Sequence, residues 1–382
     1  MSDNSPTLYL DHAATTPMRP EARDAMAPYL GDSFGNPSGL HAVSRRAKGA
    51  LEDARERAAS LLGADHPLDI IFTGGGTESD NLGVAGPSLA SGGGVVTTAV
   101  EHEAVLETAA FLGRLGRDVT VVGVDEAGVV DPSELASAVD SNTAVVSVMA
   151  ANNETGVRQP VAEISTAVRA VHPGVLVHTD AVQAFVSEEF TIASLGADLV
   201  TLASHKFGGP KGVGLLHAKR RIELEPVLHG GGQETGRRSG THNVAGIVGM
   251  VAAMEAAAKD RDRFRADVGA TRNGFEQRLS SAIPDVVFTV AVAQRLIQHS
   301  HFMIPGIDAE TLLIRLDSLG VAAASGSACQ SGAVEVSHVL SAMGLDERAA
   351  RSGVRVSFGW TSRPADGDLA AAAVIECVED LR

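Results

Sequence analysis

The chain has 382 residues, 44% of them hydrophobic, and a formal net charge of −16. That length supports a large core and two domains, and the charge argues against a nucleic-acid backbone as partner. No apolar run approaches the ~20 residues of a membrane span, and no basic, apolar leader opens the chain. Two cysteines, Cys329 and Cys377, make no disulfide framework, so a reducing cytoplasm is the expected location.

In chain order, Tyr9-Leu10-Asp11-His12-Ala13-Ala14-Thr15-Thr16-Pro17 reads as a short strand running into a polar turn, and Phe34-Gly35-Asn36-Pro37-Ser38 as a loop. From Arg45 to Leu62, small and apolar residues recur at Ala47, Leu51, Ala54, Ala58 and Leu61 with charges between them, the spacing of an amphipathic helix. Alternating units follow. Strands are expected at Ile70 to Thr73, Val95 to Thr98, Val119 to Val122, Ala144 to Met149, Val175 to His178 and Leu199 to Ala203, with a further strand from Val213 to Leu216. Strands alternating with helices imply a mostly parallel sheet covered on both faces, with ligands at the carboxyl ends of the strands.

The polar residues after those strands therefore converge on one site. Gly74-Gly75-Gly76-Thr77 is either an anion cradle at a helix N-terminus or a plain turn. It lacks the Gly-Lys-Ser/Thr ending of a nucleotide P-loop. His102 follows its strand and serves either a ligand or the cap of the next helix. Asp180 lies two residues past a buried strand, where a carboxylate is costly without a cationic partner; an N-cap is the other reading.

Lys206 leaves a buried strand end in Ser204-His205-Lys206-Phe207-Gly208-Gly209-Pro210-Lys211-Gly212. Lysine is scarce, occurring at 48, 206, 211, 219 and 259 against many arginines. Such a lysine is either an amine nucleophile toward carbonyls or a phosphate or surface lysine. The Gly-rich loop His229-Gly230-Gly231-Gly232-Gln233 leads to Arg238-Ser239-Gly240-Thr241, and a long helix is expected from about Val244 to Ile283, with the domain change near it. Cys329 sits in the small-residue segment Ser325-Gly326-Ser327-Ala328-Cys329-Gln330-Ser331-Gly332, expected to be a mobile loop. Cys377 reads as part of a C-terminal helix. Arg355 is placed to hold a carboxylate or a structural salt bridge. No histidine set has metal-ligand spacing.

Together these stretches resemble the cysteine desulfurases of the NifS/IscS type, in the class V aminotransferase group. The resemblance rests on residues 9–17 and 34–38, Thr-Glu-Ser-Asp-Asn at 77–81, Asn-Asn-Glu-Thr-Gly at 152–156 and His-Thr-Asp-Ala-Val-Gln at 178–183. It continues through 205–212, Arg-Ser-Gly-Thr at 238–241 and Ser-Gly-Ser-Ala-Cys at 325–329. It implies a PLP-dependent transferase fold of type I, an α/β fold. A large pyridoxal 5′-phosphate (PLP) domain would span 15–257, and a smaller α+β domain 1–14 with 258–382. It further implies conversion of L-cysteine to L-alanine, with sulfur carried as a persulfide on Cys329 to an acceptor protein of iron–sulfur cluster assembly or of tRNA or cofactor thiolation.

By the same resemblance Lys206 would hold PLP covalently, Asp180 would pair with its ring nitrogen, Gln183 with its hydroxyl, and His102 would stack on the ring and aid proton transfer. Gly76, Thr77, His205 and Ser204 would bind the phosphate, with Thr241 reaching in from the second subunit of a homodimer. Asn153 and Arg355 would hold the substrate carboxylate. A selenocysteine lyase or an aminotransferase is the alternative within the group. Three positions depart from the expected pattern: Ala203 in place of a serine, Arg295-Leu296-Ile297-Gln298 in place of Arg-Leu-Pro-Asn, and His242 in place of an acidic residue.

Overall fold

The structure is a computed structural model that describes residues 8–325 and 336–382. Its strands, in chain order, are β1 Leu8–Tyr9, β2 Ile70–Thr73, β3 Gly94–Thr98, β4 Val119–Val122, β5 Thr143–Ser147, β6 Leu176–Asp180, β7 Leu199–Ala203, β8 Gly214–Ala218, β9 Val287–Phe288, β10 His299–Met303, β11 Val321–Ala322 and β12 Gly353–Ser357. Seven of them form one sheet in the order β2-β8-β7-β6-β5-β3-β4. Neighbours are parallel except β8, which runs against both β7 and β2. The sheet is thus mixed and mostly parallel, with helices filling the crossovers.

Period-two alternation explains how it is covered on both faces. Ile70, Phe72, Val96, Val146, Val177, Val200 and Leu202 enter one apolar core, while Ile71, Val95, Val145, Leu199 and Leu216 enter another on the opposite face. The helix Ala42–Leu62 packs Ala47, Leu51, Ala54, Ala58 and Leu62 into the first core. His41 caps its start by accepting from Ser44 N–H, and Gly63 ends it at φ 63°, in the left-handed region that favours glycine.

One helix, Val244–Ala282, joins two cores. Its first half is apolar on several faces (Val244, Ile247, Val251, Met254) and lies in the core of the large sheet. Its second half places Phe264, Val268, Phe275 and Leu279 in a separate core with Phe302, Leu312, Val354, Phe358 and Val374. That second core lies against the three-stranded antiparallel sheet β12-β10-β9. The N-terminus belongs spatially to this part: β1 pairs with β11, and Asp11 bridges to Ser357.

This topology positions the site. The strands β2, β3, β5, β6 and β7 point the same way, so the segments after Thr73, Thr98, Ser147, Asp180 and Ala203 emerge along one edge. β8 begins there, where Gly214 faces the backbone of Gly75; a Cβ at 214 would sit 2.7 Å from the Gly75 carbonyl carbon. Among the described residues no helix is long and apolar enough to cross a membrane.

Candidate active site at the carboxyl edge of the sheet

Helix Gly76–Ser91 begins directly after β2 through Gly74 and Gly75, and among the described residues no side chain caps its start, Glu78 accepting only from Gly74 N–H ahead of it at 2.8 Å. A cavity of about 720 Å³ opens there, lined by Gly74, Gly75, Gly76, Thr77, His205 and Lys211 among others. Unpaired helix N–H groups, a threonine hydroxyl and a nearby lysine make this an anion cradle. His205 Nδ1 lies 3.2 Å from Thr15 Oγ1. Burial, with the charges of Lys206 and Lys211, pushes the His205 imidazole down to about 4, so it serves as a neutral hydrogen-bonding group at pH 7.

Two neighbouring positions do not face this cradle. Ala203 is buried in β7, and a Cβ at Gly76 would sit 3.3 Å from its methyl, so the alanine at this departure from the family pattern fills space under the turn. Ser204 is fully buried with an unpartnered Oγ packed against Gly209, and it does not line the cavity. Thr241 is exposed and lies outside the lining of this chain's own cavity.

Lys206 ends the short turn after β7. Its Nζ donates to the carbonyls of Ala13 at 2.5 Å and Ala14 at 2.9 Å. Gln183 Nε2 donates to the same Ala13 carbonyl at 2.9 Å. Asp180 ends β6 on the adjacent strand, where its Oδ1 accepts from Val182 N–H at 2.8 Å. Burial raises the Asp180 carboxyl above its usual range, while His102, the Val182 N–H and Lys206 pull it back down. His102 caps helix Glu103–Arg114, its Nδ1 accepting from Ala104 N–H at 3.0 Å. The capping reading of that residue is therefore realised, and the cap leaves Nε2 for a second task.

Behind Asp180 is a buried polar layer. His178 bridges Ser147 Oγ at 2.8 Å and Thr201 Oγ1 at 3.0 Å, and Asp80 Oδ1 lies 3.6 Å from its Nε2. Burial, then the charge of Asp180, raises Asp80 well above a normal carboxyl. Burial likewise lifts Glu101 to about 8. Sequence reasoning missed Asp80 and Glu101, although both lie in stretches it singled out, beside Thr77 and His102.

The opposite wall comes from the smaller sheet. Arg355 on β12 donates from Nη1 to the Asn153 carbonyl at 2.9 Å and from Nη2 to Asp11 Oδ1 at 2.6 Å. The 152–156 turn is held by Asn152, whose Oδ1 accepts from Glu154 N–H, Thr155 N–H and Thr155 Oγ1. The departure at 295–298 is accommodated: Arg295 is buried against Glu276 at 2.6 Å, and Gln298 Nε2 reaches the Gln183 carbonyl at 3.3 Å. His242 takes a structural partner too, its Nε2 lying 2.7 Å from Glu234 Oε1. Cys329 lies outside the described residues.

These groups fit PLP. The glycine cradle suits a phosphate, Lys206 offers an amine, and the raised proton affinity of Asp180 suits a cationic ring N–H. The whole arrangement is that of a class-V aminotransferase, and residues 8–368 match that family. The chain is 39% identical to cysteine desulfurase IscS of Dictyoglomus turgidum, over 98% of this chain and 95% of the relative. It is 38% identical to cysteine desulfurase IscS of Methanosarcina thermophila, over 100% and 94%. Among solved structures it resembles a NifS-like protein with TM-score 0.90 at 33% identity, covering 98% of this chain and 100% of the other. It also resembles SspA in complex with cysteine, with TM-score 0.79 at 31% identity, covering 92% and 98%. The chain belongs to the class-V aminotransferase family. Within it, the chain is one of the cysteine desulfurases of the NifS/IscS type, enzymes that depend on PLP.

Proposed function

We propose that the protein takes L-cysteine to L-alanine and passes the sulfur, as a persulfide on Cys329, to an acceptor protein such as an iron–sulfur scaffold. The observation that carries this reading is that Lys206 and Asp180 follow and end adjacent strands close enough for the lysine charge to act on the carboxyl, beside a glycine-rich anion cradle, with Arg355 and Lys206 both tied to the 11–14 turn. The likeness to a structure solved with cysteine bound supports the substrate.

When bound, PLP supplies an electron sink for negative charge at the substrate Cα. Lys206 would hold the cofactor, and its amine is the group to take the proton from the substrate Cα. Asp180 would pair with the ring nitrogen, and Gln183 with the ring hydroxyl. Gly76, Thr77 and His205 would hold the phosphate; Ser204, packed away against Gly209, is left out of that set. His102, fixed by the cap it makes, would stack on the ring and aid proton transfer. Arg355 and Asn153 hold the α-carboxylate. The Cys329 thiolate attacks the substrate sulfur: the S–S bond forms as the Cβ–S bond breaks, and the electron pair left on Cβ takes a proton to become the methyl of alanine.

The reading also includes a homodimer, in which the partner subunit's Thr241 completes the phosphate site. The exposure of Thr241, and of the large apolar side chains of Leu30, Phe34 and Leu40 within eleven residues of sequence, supports it. Residues 15–257 then form the PLP domain, with 1–14 and 258–382 the smaller one. A reducing cytoplasm suits a persulfide carrier.

The test is turnover of L-cysteine by the PLP-loaded protein with no keto acid present. Stoichiometric alanine is expected. Alanine that appears only when a keto acid is added would make the protein an aminotransferase.

A further inference from the structure

Arg355 is almost fully buried, its side chain 4% exposed, and a buried guanidinium needs a counter-charge. That charge comes from Asp11, 344 residues away in sequence, whose Oδ1 sits 2.6 Å from Nη2. Nη1 is anchored separately by the Asn153 carbonyl at 2.9 Å. Two anchors on two nitrogens fix the plane of the guanidinium. The fork has five N–H groups; the Nε edge has no partner among the described residues. That buried Nε–H is the one a carboxylate reaching this edge would satisfy while both anchors stay in place.

Asp11 is itself fixed. The Tyr9 hydroxyl donates to its carbonyl at 3.0 Å, Ala14 N–H and Thr15 N–H do the same, and its backbone bridges to Ser357. The turn it opens is the one whose Ala13 and Ala14 carbonyls receive Lys206 and whose Thr15 meets His205. With its backbone held this firmly, Asp11 presents its short side chain to Arg355 from a fixed origin.

We propose that Asp11 is a positioning residue for the substrate: its side-chain oxygen orients Arg355 to receive the α-carboxylate of the amino acid. This rests on the assignment of Arg355 to that carboxylate, and the test separates the two. The PLP-loaded enzyme is titrated by calorimetry with L-alanine and with ethylamine, the same amine without a carboxylate, and L-cysteine kinetics are run in parallel. Arg355→Ala weakens L-alanine but not ethylamine if Arg355 holds the carboxylate; equal effects on both would remove that assignment and the proposal with it.

Given that baseline, Asp11→Ala raises the Kd for L-alanine and the KM for L-cysteine about tenfold, the scale of one misaligned charge-assisted bond, with kcat nearly unchanged and ethylamine unaffected. Asp11→Asn is isosteric and keeps an oxygen acceptor for Nη2 but not the charge, so it restores the orientation and part of the affinity. A double-mutant cycle of Asp11→Ala with Arg355→Ala shows the Asp11 effect vanishing once Arg355 is gone. Three results overturn the proposal: tighter L-alanine binding in Asp11→Ala, which makes Asp11 a competitor; equal loss of both ligands, which makes it structural; or no change.

Discussion

The Lys206 amine and the Ala13 carbonyl oxygen lie 2.5 Å apart, and the Ala14 carbonyl lies 2.9 Å away on the same amine. An N-terminal turn thus receives a lysine from the turn after β7 of the large sheet. Carbonyl oxygens suit an ammonium, which has three donors and no acceptor, so the turn is a resting place for this lysine when it is not bonded to PLP. Lys206→Ala is expected to lose covalent PLP and all turnover while folding normally. Borohydride reduction followed by mass analysis checks this: wild type retains reduced cofactor on the peptide containing residue 206, and the variant retains none.

Asp180→Asn is expected to bind PLP but to lose turnover by at least two orders of magnitude, since a neutral amide cannot hold a ring nitrogen protonated as a carboxylate does. Single-turnover kinetics with L-cysteine at neutral pH measure the loss. Rates close to wild type would remove Asp180 from its role.

Glu101 titrates in the folded protein near 8 against an ordinary 4.5, because it is buried. The native state therefore holds a proton that the unfolded chain releases, and stability falls as pH rises from 4.5 through 8. Glu101→Gln removes that dependence and keeps an acceptor for Thr98 Oγ1 and Met149 N–H, the present partners of Oε1. Thermal melts of cofactor-free protein at pH 6 and pH 8 should show a larger drop for wild type than for the variant. Equal drops would mean that Glu101 is already ionised in the fold.

Glu234 is the converse case. Burial raises its carboxyl, but hydrogen bonds from His242 and Arg55 outweigh that and hold it near 2. Its stabilisation is present above the ordinary value of 4.5 and is lost as pH falls through 2. The pair also pins a turn in which Glu234 and Thr235 both adopt left-handed φ, 52° and 57°. Glu234→Gln takes away the near, buried counter-charge of Arg55 and leaves it Glu52, 3.7 Å from Nε, so a loss of about 3 kcal/mol is expected from denaturant melts.

Gly156→Ala should destabilise the turn that carries Asn153. Gly156 has φ 78°, and a Cβ there would sit 2.6 Å from the Cβ of His299. The left-handed conformation alone costs about 1–2 kcal/mol, before the clash. Denaturant unfolding should show more than that loss, with a raised KM for L-cysteine.

The large sheet was legible because its strands are short apolar runs closed by polar or glycine turns, as at Ile70–Thr73 and Leu199–Ala203, and burial on both faces leaves little else for such runs to do. The antiparallel turn of β8 was not legible, since a Gly/Pro link fits either direction. The pairing of β1 with β11 and of Asp11 with Arg355 could not be read either; partners more than three hundred residues apart leave no periodic trace. His102 read as a cap and is one. Ser204, assigned to the phosphate by the resemblance, packs its hydroxyl against Gly209 instead, and one residue of phase separates the two placements.

The most direct measurement is the mass of each cysteine peptide after PLP-loaded protein meets one equivalent of L-cysteine with no acceptor. Cys377 is buried in the helix Pro364–Leu381, where burial raises its thiol pKa and keeps it unreactive. The expected result is one added sulfur atom on Cys329, removed by a reductant, with alanine formed in equal amount, and the same experiment with Cys329→Ser giving no added sulfur. Sulfur on Cys377, or full sulfur transfer by Cys329→Ser, would contradict the account.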